Sequence, residues 1–437
     1  MTAAPVTHAS IFRLAMPIVL SNATVPLLGA VDTAVIGQLG EAAPLGAVGL
    51  GAVILTTLYW CFGFLRMTSS GLAAQAQGAG DRTEIAAVLI RALLLAALAG
   101  LALIAAQGLL FGAAFSIAPA SAKVEALARS YLSIRIWGAP ATIALYALTG
   151  WLIGLGRTRG VLALQLLQNG VNIVLSIGFV IGLGWGVPGV AVATLIAEVL
   201  GLLLGLWLAR EAFGVALKPA LARLRDGNAL RLMFGASRDI LLRTVILQLS
   251  FTSFVFLGAR FGDVTLAANQ VLLQFLQITA FGLDGIAFAA EALIGQAVGA
   301  RNQGEVRRAS RMAMQWGFGG ALLLALAFAA FGAWLIDLMT TAPEVRAAAR
   351  IWLPWLVVAP LLGVASWIFD GIFIGAMLTR EMLRAMAVSV AIYVAALVLM
   401  VPVLGNHGLW AALMVLLVAR GVTMWRASPA VLRRAGG

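Results

Sequence analysis

Ala74-Gln75-Ala76-Gln77-Gly78-Ala79-Gly80-Asp81-Arg82-Thr83-Glu84 closes one long apolar segment. Gly295-Gln296-Ala297-Val298-Gly299-Ala300-Arg301-Asn302-Gln303-Gly304-Glu305 closes another about 221 residues later. Further out, Gly150-Trp151-Leu152-Ile153-Gly154 answers Gly371-Ile372-Phe373-Ile374-Gly375, and Thr158-Arg159 matches Thr379-Arg380. A membrane domain present twice points to two lobes facing a shared cavity, the plan of many secondary transporters.

Of 437 residues, 62% are hydrophobic and 11% are charged. A water-soluble globule could not hide that much apolar surface. Apolar runs of about 20 residues recur throughout, as a hydrocarbon layer of roughly 30 Å requires. They fall near 12–35, 43–69, 85–111, 127–155, 161–183, 187–209, 235–259, 265–298, 311–337, 347–377, 382–403 and 407–425. They lack the short-range alternation of barrel strands. The expectation is an all-α polytopic membrane protein with twelve transmembrane helices in two six-helix lobes, residues 1–215 and 216–437. An even number of helices per repeat makes both copies enter from the same side, so a pseudo-two-fold axis along the membrane normal should relate them.

The formal net charge of +12 invites a nucleic-acid reading, but its placement opposes one. With both termini cytoplasmic, most of the 29 Lys and Arg fall at inside ends or loops. Arg210, Lys218, Arg223, Arg225, Arg231, Arg238 and Arg243 cluster around one connection, and Arg301, Arg307, Arg308 and Arg311 around another. This is the positive-inside bias, so topology accounts for the basic excess. The protein is expected in the inner membrane as a monomer among lipids. The first helix should serve as its own insertion signal, because the N-terminus lacks a removable one.

Cys61 stands alone, which excludes an internal disulfide and a Cys-based metal cluster. His8 and His407 have no second ligand at metal-site spacing. There is no phosphate-cradling Gly-rich loop, so ATP is not expected to drive the chain, and no cofactor is expected. An intramembrane enzyme would need a nucleophile–base pair or metal ligands, which this pattern does not offer.

Five carboxylates fall inside the spans: Asp32, Glu198, Asp284, Glu291 and Asp370. Ionisable groups there usually face a cavity. Asp32 sits near the outer end of the first helix. Burial penalises its charged form and protonation removes most of that penalty, so the group can sense which side is open. The alternative is that Asp32 snorkels outward or caps its helix. Asn172, Ser176 and Thr194 share its depth, and Glu198, one turn after Thr194, is placed to extend this network as a cavity or secondary coupling group. Carboxylate, amide and hydroxyl oxygens suit a protonatable network or a sodium ion at Asp32, Asn172 and Thr194. Polar residues also join membrane helices structurally, which is the plainer reading of Asn172 or Thr194 taken alone.

The acids of the second half have no counterparts in the first: Asp284 aligns with Gly63, Asp370 with Thr149, and Asp32 with Phe254. Asp284 and Glu291 are two turns apart on one face. Asp284, Glu291 and Asp370 either line the cavity as secondary coupling groups or are locked to inside arginines such as Arg301, Arg380 or Arg384. Arg66 reads as the lone base deep in an apolar stretch, a structural clamp at the inner end of helix two. Pro26, six residues before Asp32, offers a kink that could bend during transport.

At these residues the chain resembles the multidrug and toxic compound extrusion family, in particular its DinF-like branch. The resemblance is carried by Val31-Asp32-Thr33 with Ile36-Gly37, and by Gly63-Phe64-Leu65-Arg66-Met67 through Ala74-Gln75-Ala76. Leu283-Asp284-Gly285 through Gln296-Ala297 and Phe369-Asp370-Gly371-Ile372-Phe373-Ile374-Gly375-Ala376 complete it. It implies two lobes that alternate their opening and export of organic, often cationic, compounds in exchange for protons or sodium. It also implies that Asp32, Asn172 and Thr194 occupy coupling-site positions and that Asp370 is an acid of the second lobe. Ser176 stands where some relatives carry a second aspartate, and Gln248 and Ser250 stand where sodium-coupled relatives carry an acid in helix seven. One carboxylate neutralises sodium poorly, so proton antiport is expected. A sodium-coupled antiporter and a flippase for lipid-linked precursors are the alternatives, the flippase disfavoured because it should hold phosphate with several central arginines.

Overall fold

The computed structural model describes residues 6–214 and 217–436, without the side chains of 25–28, 30 and 217. Among the described residues every regular element is helical. In chain order the long helices are α1 (His8–Gly37), α2 (Ala42–Gly78), α3 (Arg82–Ala105), α4 (Ala122–Gly154), α5 (Thr158–Gly182) and α6 (Gly186–Leu208). They continue with α7 (Gly227–Ala259), α8 (Asp263–Gly299), α9 (Gln303–Met339), α10 (Pro343–Gly375), α11 (Thr379–Leu404) and α12 (Asn406–Gly436). Eleven of them, α2 to α12, are long and apolar enough to cross a membrane. α1 spans 30 residues and carries the first expected crossing. The chain is therefore an all-α polytopic membrane protein.

Two compact units emerge. One runs from Leu20 to Arg231; the other joins the chain up to Val19 with Leu232 onward. The boundary expected at 215/216 lies outside the described residues, and the first half of α1 goes with the second unit. The reason is packing: a Cβ on Gly285 of α8 would stand 2.9 Å from the Ala15 carbonyl and 3.3 Å from the Val19 amide. Pro26 lies outside the residues whose side chains are described.

The repeat is visible in the packing of each unit. In the first, the Cα atoms of Gly150 and Gly154 on α4 lie against the backbone carbonyls of Arg66 and Ser70 on α2. In the second, Gly371 and Gly375 on α10 lie against the carbonyls of Ala287 and Glu291 on α8. Side chains on these glycines would collide with main chain, so small residues four apart permit a close helix approach in both halves.

The loops repeat too. α2 ends as Asp81 N–H bonds the Ala76 carbonyl at 3.0 Å, and α8 as Asn302 N–H bonds the Ala297 carbonyl at 2.9 Å. Asp81 and Asn302 then cap the next helices, accepting from the amides of Glu84 and Glu305 at 3.0 and 3.1 Å. The residue before each cap is left-handed: Gly80 at φ 72° and Arg301 at φ 53°.

Polar side chains fasten the apolar interior. In the second unit, buried Asn269 and Asn406 exchange amide hydrogen bonds at 2.8 and 3.0 Å, and Trp410 donates to Asn269 at 2.9 Å. His8 and His407 each accept an indole N–H at 3.1 Å, from Trp316 and Trp355.

Candidate functional site

In the first unit α1, α5 and α6 bring four polar residues into one chain of hydrogen bonds. Ser176 Oγ reaches Asp32 Oδ1 and Asn172 Oδ1, each at 3.4 Å. Asn172 Nδ2 donates to Thr194 Oγ1 at 2.8 Å, and that hydroxyl donates to the Val190 carbonyl at 2.9 Å. Asn172 and Ser176 are buried, one turn apart on α5; Asp32 and Thr194 are half-buried. One turn further in, Gln165 donates to Asn169 and Asn169 to Thr24 of α1, at 3.1 and 2.8 Å. Ser176 also ends the regular part of α5, because Ile177–Gly182 winds as a wider π turn. Such wide turns are frequent at functional sites.

Both contacts of Ser176 are long for O–H···O bonds, and one hydroxyl has one hydrogen to give. Asp32 is therefore thinly solvated, with no cationic side chain bonded to it among the described residues.

Glu198 is placed differently from expectation. It does not extend the Asp32 chain; both its oxygens are gripped by Arg135 of α4, at 2.6 and 2.9 Å. α4 tightens over Ile136–Gly138 directly after Arg135. A Cβ at Gly138 would fall on the Glu198 carboxylate, so a side chain there would push the carboxylate out of its present place. Tyr59 donates to the Arg135 carbonyl at 3.3 Å, and the Tyr131 ring is buried alongside.

In the second unit Asp370 Oδ2 is shared by two arginines, Arg243 of α7 and Arg420 of α12, the latter at 2.9 Å. The partners are not the expected Arg301, Arg380 or Arg384. Asp239, four residues before Arg243, is also buried, held by Arg238 at 2.8 Å and by Thr379 at 3.4 Å. Arg66 is not the lone deep base, since Arg91, Arg135, Arg243 and Arg420 are all buried. Arg243, grouped by sequence with the basic connection, lies well inside α7. The signal was present: Arg135, Arg243 and Arg420 each interrupt a predicted apolar span, as the five acids do. Arg66 is half-buried, with its carbonyl under Gly150. Asp284 is half-buried and Glu291 buried on α8; both, like Arg66, have interaction partners.

Eleven long apolar helices among the described residues, a duplicated core and ionisable groups within the helices define a secondary-transporter class of membrane protein. The chain belongs to the MatE family: that model matches residues 17–178 and 240–400. It is 40% identical over 426 residues to DNA damage-inducible protein F of Escherichia coli K12, covering 95% of this chain and 92% of that one. It is 30% identical to a probable multidrug resistance protein NorM of Deinococcus radiodurans, over 73% of this chain and 70% of the relative. Among solved structures, MATE in the bent conformation superposes with a TM-score of 0.87 at 20% identity, covering 98% and 96% of the two chains. That likeness concerns the fold.

Proposed function

We propose that the protein exports organic compounds, cationic or amphiphilic, from the cytoplasm across the inner membrane by proton antiport with alternating access. Asp32 is the coupling acid, and Ser176, Asn172 and Thr194 are its hydrogen-bonding relay. Membership of a family that contains multidrug extruders, and the NorM relative's name, support the substrate class. One observation carries the coupling assignment: Glu198 and Asp370 are bound by arginines, whereas Asp32 has only a shared serine hydroxyl. A guanidinium balances the charge of the carboxylate it grips, while a carboxylate inside the bilayer without such a partner is the one whose charge a transported proton can balance. Protonation from outside weakens the hold of Asp32 on cargo, and deprotonation to the inside resets the site. With Glu198 and Asp370 held by arginines, Asp32 is the acid of this cluster left to attract cationic cargo.

The test is transport by purified protein in proteoliposomes under separately imposed pH and sodium gradients. The pH gradient should drive cargo movement in the native protein and not in Asp32→Asn. Full gradient-driven export by Asp32→Asn would refute the assignment. Movement driven by sodium alone would instead favour a sodium ion among the oxygens of Asp32, Asn172 and Thr194.

A flippase for lipid-linked precursors gains one observation as a second reading. Arg243 and Arg420 share the single carboxylate of Asp370, leaving one positive charge of the three unbalanced. Movement of a labelled lipid pyrophosphate between leaflets without either gradient would support it.

A further inference from the structure

Beyond the proposed transport site, the second unit carries a pocket and a groove that meet. The pocket, about 550 Å³, is lined by Arg307, Arg308 and Arg311 of α9 with His8, Gln315 and Met312. No carboxylate lines it, and none of the three arginines has a hydrogen-bond or ion-pair partner among the described residues. The groove, also about 550 Å³, runs between α1, α8 and α9 past Phe12, Met16, Leu283, Trp316, Gly319 and Leu323. His8 and Gln315 belong to both. At the junction Trp316 donates to His8 Nδ1 at 3.1 Å and packs on Phe12 with ring centroids 5.8 Å apart.

The polarity changes along one face of α9, from arginines at 307, 308 and 311 to glycine and leucine at 319 and 323. At about 1.5 Å per residue this stretch covers roughly 24 Å, enough for a headgroup and most of an acyl chain. Excess Lys and Arg at an inner membrane face attract anionic headgroups. We propose that this composite site holds one anionic phospholipid, with its phosphate among Arg307, Arg308 and Arg311 and a chain along α9 over Gly319. Gly319 leaves room for it: a Cβ there would meet no atom within 4 Å. The bound lipid fixes the first half of α1 against α8 and α9.

The test is native mass spectrometry of the full-length protein equilibrated with equal amounts of phosphatidylglycerol and phosphatidylcholine in detergent. Three arginines at roughly fivefold each, discounted for screening, predict at least about tenfold preference for phosphatidylglycerol. The exposed triple variant Arg307→Gln/Arg308→Gln/Arg311→Gln should fall to parity. Gly319→Leu and Gly319→Trp, which fill open space, should release the retained lipid while eluting like the native protein. Excess glycerol 3-phosphate, which has the charge without the chains, should not compete. The proposal is overturned if the native protein shows no headgroup preference, or if the triple variant keeps it. Lipid retained by both folded Gly319 variants, or displacement by glycerol 3-phosphate, would overturn it equally.

Discussion

Arg135 binds both carboxylate oxygens of Glu198, joining α4 to α6 through a gap that the missing side chain of Gly138 leaves open. Removing one partner strands a buried charge, which typically costs about 3–5 kcal/mol. Arg135→Gln and Glu198→Gln should each lower thermal stability in detergent by that order. Arg135→Met/Glu198→Leu should recover most of the loss, because a neutral pair leaves no charge stranded. An equal loss in the double variant would show that the bridge itself, not the stranded charge, governs stability.

The two glycine–carbonyl contacts predict matched behaviour in the two halves. Gly150→Ala would press on the Arg66 carbonyl and Gly371→Ala on that of Ala287. Each should destabilise by about 1–3 kcal/mol, the usual result of overpacking. A Cβ at Gly170 of α5 would meet no atom within 4 Å, so Gly170→Ala should be neutral or stabilise by up to about 1 kcal/mol. Melting temperatures of the three variants decide the matter.

Arg301 adopts at φ 53° the conformation that Gly80 adopts in the first repeat, and its side chain is exposed. A left-handed non-glycine residue carries roughly 1–2 kcal/mol of strain. Arg301→Gly should therefore raise stability by about 1 kcal/mol in urea or thermal titration. Gly80→Ala should lower it by a similar amount.

An acid-sensitive clasp holds the connection between the two halves to α3. Burial pushes the Asp81 carboxyl up, but hydrogen bonds from Arg223 and the Glu84 amide outweigh it, and the group lies below its usual range. Arg223 also bonds Glu84 at 3.2 Å, and Arg91 donates to the Arg223 carbonyl at 2.8 Å. A depressed folded value means that this stability is complete above the unfolded carboxylate range, near pH ~4, and fades as pH falls through the folded one. Hydrogen exchange of residues 218–231, corrected for intrinsic pH dependence, should rise on acidification. Asp81→Asn keeps the cap, as Asn302 does, but should show the raised exchange already at neutral pH. The bridge is half-exposed, so the change should be under about 1 kcal/mol.

Ser176→Asp would set a second carboxylate beside Asp32 and Asn172. Two acids neutralise a sodium ion better than one, and oxygen-rich sites suit hard cations. The variant should gain sodium-stimulated transport, or at least sodium-dependent thermal stabilisation, relative to the native protein. Indifference of its melting temperature to sodium would count against this reading of the site.

The helices were legible because apolar length is a local signal, and the repeat because Gly150/Gly371 and Asp81/Asn302 sit in paired motifs. Grouping Asp32 with Asn172, Ser176 and Thr194 needed only equal depth along three helices. The arginine pairings were hidden. Glu198 lies 63 residues from Arg135, and Asp370 lies 127 from Arg243 and 50 from Arg420. No spacing rule links such partners, since their meeting depends on which helix faces pack. What could be read was the expectation that a carboxylate and a guanidinium inside apolar spans seek each other.

The single hydrogen of Ser176 has a consequence for how α1 communicates with α5. While Asp32 is ionised, that hydrogen is drawn to it. Once Asp32 carries its own proton, the carboxyl becomes a donor, and the hydroxyl is released to turn toward Asn172. A change of charge on one helix is thus recorded as a reversal of hydrogen-bond direction on another, with no heavy atom required to move.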